Sequence, residues 1–384
     1  MLRVGIDGRL IRYRRGMGQY AFNLLRALAD ASEAEFEFIV YLDSDAAASE
    51  VPRRPNFRVR VLRPSPYPIW EQFVLPIAAS QDRLAILHCL FNTAPCIVLG
   101  APPPQLIITV HDVMYLMPHT QVPRSNRLYH EFGRRYRAAV VPAVARRAAK
   151  VIAVSNQSKS DALEFLPVDS SRVTAIASAP DPAFCRILDS SKIASARHRY
   201  NIVGPFIFAL GAIDPRKNTE FILEAFCRLC RSGDFRHTLV LSGLTPDAAT
   251  VWGRWATSRG IRSRVVLLGF VPLDDLVALY NEAELFLYPS LYEGFGFPII
   301  EAMACGTPVI CSAEGALREL SGDAVVSVDP RNVDALCDAV NRVTSDAILR
   351  RDLVERGAIR AASFSWNRTA AETLAVYRQV TSLD

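Results

Sequence analysis

Apolar and polar positions along this chain fall into two successive series, each alternating short apolar runs with longer stretches of helical period. In the first series the runs predict strands at 3–6, 37–42, 58–62, 85–88, 106–110 and 151–154, with helix-like segments between most of them. The second series begins at Phe206–Leu210 and continues through Thr238–Ser242, Val265–Leu268, Leu285–Tyr288, Val309–Ser312 and Val325–Val328. Alternation of this kind is the signature of βαβ units around parallel sheets, so the fold class is α/β with two domains, residues 1–185 and 204–365. Between them, Pro180–Val203 carries Pro180, Pro182 and Gly204 at its edges and no sustained apolar alternation, and reads as a linker. The closing segment, 366–384, predicts a helix with Ala370, Leu374 and Tyr377 on one side, free to pack back on the first domain. Open parallel sheets bind ligands beyond the carboxyl ends of their strands. Two such domains facing each other across a cleft bring both sets of loops to one ligand.

Composition fits this picture. Of 384 residues, 50% are hydrophobic and 22% charged, which excludes disordered and disulfide-scaffold classes. The net charge of +5 conceals an asymmetry: residues 1–200 hold 26 Lys+Arg against 17 Asp+Glu, and residues 201–384 hold 18 against 22. Halves of net +9 and −4 imply different partners, and Lys217 is the single lysine of the acidic half. The segment Leu2–Gly8 is too short for a signal core, so no secretory signal is expected and the cysteines are expected to stay reduced. The longest uncharged run, Leu84–Val110, contains Pro95 and Pro102-Pro103-Pro104, and reads as two strands around a Pro-rich loop rather than a membrane helix. Cys227 and Cys230 form a C-x-x-C inside an apolar helical pattern, which points to packing rather than to a metal or redox site.

Four loops carry candidate chemistry. The strand ending at Tyr288 leads into Pro289-Ser290-Leu291-Tyr292-Glu293-Gly294-Phe295-Gly296-Phe297-Pro298, where Pro298 suits the first turn of a short helix and Gly306 its end. Gly294 and Gly296 flank Phe295 and allow the backbone close to a ligand. Glu293 and Glu301, eight positions apart with amides between them, suit the hydroxyls of a sugar or ribose. The alternative makes Glu301 a dipole-complementing residue of the first helical turn and Glu293 a solvated loop charge. After the strand Phe206–Leu210, Arg216 and Lys217 directly precede a helix expected to be capped by Asn218 or Thr219. Two cations before a helix N-terminus are misplaced unless an anion joins them, and a diphosphate would; a solvated basic turn is the other reading. In the first domain, Gly16-Met17-Gly18 precedes an apolar helix but lacks the third glycine of a dinucleotide fingerprint. His111 follows the strand Leu106–Val110 at its carboxyl end.

These stretches, Gly211 through Asp214-Pro215-Arg216-Lys217-Asn218 and Pro289 through Glu301 to Pro308, resemble the family 4 retaining glycosyltransferases. That resemblance implies the GT-B fold of two facing Rossmann-like domains. It implies that Glu293 contacts the transferred sugar, helped by amides of Gly294, Phe295 and Gly296, and that Glu301 takes the ribose hydroxyls. It places Arg216 and Lys217 on the diphosphate, Phe270 of Gly269-Phe270-Val271 beside the nucleobase, Gly16 and Gly18 near the diphosphate, and His111 near the reacting sugar. Two departures stand out: Ala212 occupies a place where many members carry Arg, and Ser178-Ala179-Pro180-Asp181 replaces the usual Asn-Gly-x-Asp turn.

The implied reaction moves a hexosyl unit, mannose as first choice with GDP-mannose as donor, to an acceptor hydroxyl with retention and without a metal or other cofactor. A bacterial enzyme of surface polysaccharide or lipopolysaccharide assembly is implied, with a glycan or lipid-linked acceptor, located in the cytoplasm or peripherally at the inner face of the cytoplasmic membrane. Arg124, Arg127, Arg134, Arg135, Arg137, Arg146, Arg147 and Lys150, beside Tyr136, Val140 and Val141, fit an anionic membrane surface or a solvated helix face. Nucleic acid is not an expected partner, since these cations accompany no recognised module. Alternatives are a sugar-nucleotide epimerase on the same fold and a non-enzymatic nucleotide-sugar-binding protein. A metal-dependent transferase is a further rival, suggested by Asp43-Ser44-Asp45 after a strand, but it leaves the second α/β series unexplained.

Overall fold

The computed structural model describes residues 1–31, 35–118, 122, 128–187 and 189–381. The chain divides into two compact units: Met1–Met117, Arg127–Ala179 and Phe364–Asp384 group in the first, and the body of the second is Pro180–Ser363.

The first unit is built on seven strands: β1 (Leu2–Asp7), β2 (Phe36–Leu42), β3 (Phe57–Val61), β4 (Ile86–Cys89), β5 (Gln105–Val110), β6 (Lys150–Ala153) and β7 (Val173–Ala175). Their order is β3-β2-β1-β4-β5-β6-β7, with every pair parallel. Strands covered on both faces need apolar residues on both, which is why Phe36–Leu42 reads as a run and is buried nearly throughout. Strand β7 was not expected, because Val173-Thr174-Ala175 is short and interrupted by a polar residue. The uncharged run Leu84–Val110 becomes β4, a Pro-rich loop and β5. Among the described residues no helix is long and apolar enough to cross a membrane.

Helix Met17–Ala31 buries Tyr20, Phe22, Leu24, Leu25 and Leu28. Helix Trp366–Thr381 packs against it, with Tyr20 and Trp366 edge to face at 5.7 Å. Tyr377, fully buried, meets Nδ1 of His88 at 2.7 Å, and Thr109 Oγ1 meets its Nε2 at 2.8 Å. Burial pushes the His88 pKa down to about 3, and two hydroxyls satisfy a neutral ring in either tautomer.

Two expectations for this unit change. In helix Leu128–Arg147, Val140 and Val141 are core residues, and just beyond it Lys150 is buried, donating to Ser171 O at 2.8 Å. Arg134 and Arg135 both pair with Glu131, so this stretch does not present the combined apolar and cationic face drawn for it. Arg124 and Arg127 lie outside the described residues. In Asp43-Ser44-Asp45, the Ser44 hydroxyl caps a short turn of 3-10 helix, Asp45–Glu50, by accepting from Ala46 N–H.

The second unit holds β8 (Phe206–Leu210), β9 (Thr238–Ser242), β10 (Val265–Leu267), β11 (Leu285–Tyr288), β12 (Val309–Ser312) and β13 (Val326–Val328). They pair in parallel in the order β10-β9-β8-β11-β12-β13. All eight cysteines are free thiols, and Cys227 packs in the core beside Phe226 and Leu223. The stretch read as a linker contains a helix, Ser190–Arg199, packed on helix Leu273–Glu282. Charge holds it there. Arg199 Nη1 reaches both oxygens of Asp275 at 2.6 and 2.7 Å, Tyr200 Oη donates to the same carboxylate, and Arg197 pairs with Glu282 at 2.6 Å. An element anchored by ion pairs leaves no apolar period to read.

Candidate active site

The richest site lies where β8 and β11 end side by side in the second unit. Beyond β8, Asp214 caps a 3-10 turn, Pro215–Lys217, by accepting from Arg216 N–H at 3.0 Å. The Arg216 guanidinium folds back onto the same carboxylate, with Nη2 at 2.6 Å. Asn218 adopts the left-handed conformation (φ 55°, ψ 36°) ahead of helix Thr219–Arg231. Neither Asn218 nor Thr219 caps that helix through its side chain, contrary to expectation. Asn218 Nδ2 donates instead to the carbonyls of Pro289 (3.1 Å) and Pro330 (2.8 Å). The Thr219 hydroxyl donates to Ala212 O and accepts from Ala212 N–H, each at 2.9 Å, which closes the turn. Leu291 N–H donates to Arg216 O at 2.8 Å, binding the β8 loop to the β11 loop.

Three side chains then meet. Lys217 Nζ donates to Glu293 Oε1 at 2.6 Å and to Tyr288 Oη at 2.8 Å, and Tyr288 Oη donates to Glu293 Oε1 at 2.9 Å. Burial disfavours both charges, yet Glu293 and the Tyr288 oxygen hold the Lys217 pKa above its ordinary value. Likewise burial raises Glu293, but Lys217 and then Arg216 outweigh it and its carboxyl titrates below the usual range. Burial and the Glu293 charge push the Tyr288 phenol well up, so it stays a proton donor. The expectation that these cations lack an anion is therefore corrected. Asp214 and Glu293 supply it from within the chain, and Glu293 is no solvated loop charge.

The glycine loop leads into helix Phe297–Ala304, with Pro298 in its first turn and Gly306 (φ 79°) beyond its end. Gly296 sits at φ 110°, where a Cβ would lie 2.6 Å from Leu317 Cδ2, so the turn requires glycine. Phe295 is buried edge to face with Phe297 at 5.0 Å, which leaves its backbone rather than its ring for a ligand. Glu301 is the fifth residue of the helix, in the second turn and only 5% exposed, so the first-turn dipole reading does not hold. Phe270, beyond β10, is 69% exposed.

In the first unit, Gly16 (φ 49°) opens on empty space, whereas a Cβ on Gly18 would lie 2.0 Å from Tyr13 O and 2.4 Å from Leu10 O. Only Gly16 is placed for close approach by a ligand; Gly18 serves packing. His111 is buried edge to face on Tyr20 at 4.9 Å, and its backbone N–H donates to Asn92 Oδ1 at 2.6 Å. Nε2 lies 2.9 Å from Leu90 O, which can only accept, so Nε2 carries the proton and Nδ1 the lone pair. Burial lowers this pKa to about 4, against the opposing pull of Leu90 O, and the ring is neutral.

The fold thus gathers Arg216, Lys217 and Glu293 at one point, with Gly294, Phe295, Gly296 and Glu301 on the same loop and helix. Gly16, Gly18 and His111 belong to the other unit. Two residues escaped the sequence reading. Asp214 was signalled by its place before Pro-Arg, where an Asx turn is common. Tyr288, as the last residue of an apolar strand, carried no signal of its own. Tyr288→Phe removes only the hydroxyl that bridges Lys217 and Glu293. It is expected to lower kcat by about tenfold at little cost in stability, and steady-state kinetics with unchanged kcat would refute a bridging role.

Two family models match the chain: Glycosyltransferase Family 4 over residues 14–184 and Glycosyl transferases group 1 over residues 194–360. O-antigen chain mannosyltransferase B of Escherichia coli is 30% identical over 387 residues, covering 94% of this chain and 96% of that protein. The serotype-specific mannosyltransferase WbdA of Escherichia coli is 34% identical over 227 residues, 58% of this chain, which spans only 28% of WbdA's length. Sucrose-phosphate synthase from Thermosynechococcus elongatus aligns over 100% of both chains with a TM-score of 0.78 at 21% identity. The fold is the GT-B fold, with two Rossmann-like units. The chain belongs to the family 4 glycosyltransferases.

Proposed function

We propose that this protein is a retaining, metal-independent mannosyltransferase that uses GDP-mannose to extend a lipid-linked glycan in bacterial surface polysaccharide assembly. It would act in the cytoplasm or peripherally at the inner membrane face. Similarity to the O-antigen mannosyltransferase over nearly the whole chain supports the sugar and the setting. The observation that carries the chemistry is the state of Lys217. Its ammonium has three protons, spends two on Glu293 and Tyr288, and keeps the third for a ligand oxygen.

As the bond from the sugar to the diphosphate breaks, negative charge grows on the leaving group. Fixed cations at that point lower the barrier because they need no reorganisation during the reaction. Lys217 and Arg216 are assigned that task. Glu293, the glycine-loop amides and Glu301 position the sugar and ribose, with Phe270 beside the base and Gly16 near the diphosphate. His111 keeps the place that the resemblance gives it, next to the reacting sugar. As a neutral ring it would orient rather than carry charge. In this reading the leaving phosphate oxygen takes the acceptor proton.

The test is transfer from GDP-mannose and from UDP-sugars to a lipid-linked glycan in excess EDTA, with the product's anomeric configuration read by NMR. An α-linked product from the α-configured donor is expected, at undiminished rate. Inversion, loss of activity with EDTA, or epimerisation of the donor without an acceptor would each overturn the corresponding part of the proposal.

A further inference from the structure

His111 is held at three polar points, and none of them sets the tilt of its ring. Its backbone N–H donates to Asn92 Oδ1 at 2.6 Å, and its carbonyl accepts from Ser158 Oγ at 3.1 Å. Asn92 is itself fixed in the left-handed conformation (φ 67°), with its N–H donating to Thr109 O at 3.0 Å. At the far end of the ring, Nε2 donates to Leu90 O at 2.9 Å. The motion left over is rotation about Cβ–Cγ. That torsion is broad in histidine, and Nε2 lies nearer to its axis than Nδ1 does. A modest turn therefore keeps the bond to Leu90 while it swings the Nδ1 lone pair to a new direction.

Packing supplies the restraint. Tyr20 stands against the His111 ring at 4.9 Å between centroids with the planes at 89°, inside the edge-to-face range of about 4.5–7 Å. Its own ring is fully buried. Tyr20 Oη lies near Thr109 without a hydrogen bond of ordinary geometry, so the ring and not the hydroxyl makes the contact. Trp366 meets Tyr20 in turn, at 5.7 Å and 63°. Trp366 opens the closing helix, just after the chain returns to the first unit at Phe364. That helix is held at both ends: Thr369 Oγ1 donates to Ala177 O at 2.7 Å, and Tyr377 Oη meets His88 Nδ1 at 2.7 Å.

We propose that Tyr20, backed by Trp366, is a positioning residue for His111: its ring fixes the tilt of the imidazole and so the direction of the Nδ1 lone pair. The inference rests on the reading that puts His111 next to the reacting sugar, and it gives that reading a supporting residue. A ring already tilted before the donor arrives needs no ordering during the reaction, so the effect falls on kcat rather than on donor affinity. Filling the core would ask only for apolar volume, which leucine also supplies. Fixing a ring plane asks for a second ring.

The test pairs kinetics with NMR of the full chain carrying isotope-labelled histidine, where the His111 ring signal is the one lost in His111→Ala. Tyr20→Leu is expected to shift and broaden that signal and to lower kcat about tenfold, with KM for GDP-mannose within about twofold of wild type. Tyr20→Phe keeps the ring and is expected to rescue both. Trp366→Leu acts one ring further away; it should shift the same signal and lower kcat about threefold, and it carries the test if Tyr20→Leu folds poorly. In the His111→Ala background, Tyr20→Leu should cost kcat nothing more. A His111 signal unmoved in both leucine variants overturns the proposal whatever the turnover. A Tyr20→Phe variant as impaired as Tyr20→Leu overturns it too, as does an equal loss of kcat with and without the His111 side chain, which assigns Tyr20 to packing alone. A signal that moves in Tyr20→Leu while His111→Ala turns over at the wild-type rate supports the positioning of the ring and overturns only the place of His111 beside the sugar.

Discussion

Lys217→Ala is expected to lower transfer by at least about tenfold, or 1.4 kcal/mol, and to destabilise the second unit at the same time. Removal of the ammonium leaves Glu293, 14% exposed, as an ionised carboxylate whose remaining side-chain donor at that oxygen is Tyr288. Breaking a buried pair from one side costs about 3 kcal/mol. The two effects separate in the double variant Lys217→Ala, Glu293→Gln, in which no charge is orphaned. Urea unfolding should return most of the stability while transfer stays low. A double variant less stable than the single one would show that the pair does not hold the loop.

The same pair sets a pH window. The Lys217 pKa is raised on folding, so its contribution is complete below the unfolded value of about 10.4 and is lost as pH rises through the folded value. The Glu293 pKa is lowered, so its contribution is complete above about 4.3 and is lost as pH falls through the folded value. The stability difference between wild type and the double variant should therefore be flat from about pH 5 to 9 and shrink at both extremes. A difference that changes steeply near neutrality would contradict an ionised pair.

The other large effect is expected at Gly18. Both atoms that an added Cβ would strike, Tyr13 O and Leu10 O, are backbone, so no side chain can swing aside and the start of helix Met17–Ala31 must move. Gly18→Ala is expected to cost about 3 kcal/mol, at the upper end of overpacking effects. Gly16→Ala meets no atom within 4 Å and bears only left-handed strain of about 1 kcal/mol. Unfolding midpoints measure the first, and KM for the donor measures what Gly16 does. Equal midpoints for the two variants would defeat the distinction.

What was legible from the sequence follows from which forces act locally. Strands β8, β9, β11 and β12 match their predicted limits because a doubly covered strand is an uninterrupted apolar run. Helix Ser190–Arg199 was invisible because Arg199 and Arg197 secure it to Asp275 and Glu282, more than seventy residues away. At the site, Lys217 and Glu293 each stood out, one by rarity and one by its glycine-rich setting. Their pairing did not, because it depends on β8 lying next to β11, and sheet order is a property of the whole unit rather than of either segment.

Asn218 gives the site a mechanical property. One left-handed residue grips the loop ends after β11 and β13 through the carbonyls of Pro289 and Pro330, while its own backbone continues the turn of Arg216 and Lys217. With Leu291 bonded to Arg216 as well, the three loops share a single pin. A load on any one of them is transmitted to the others. The basic turn and the Glu293 loop are therefore tied by direct hydrogen bonds into one cradle instead of standing as separate flaps.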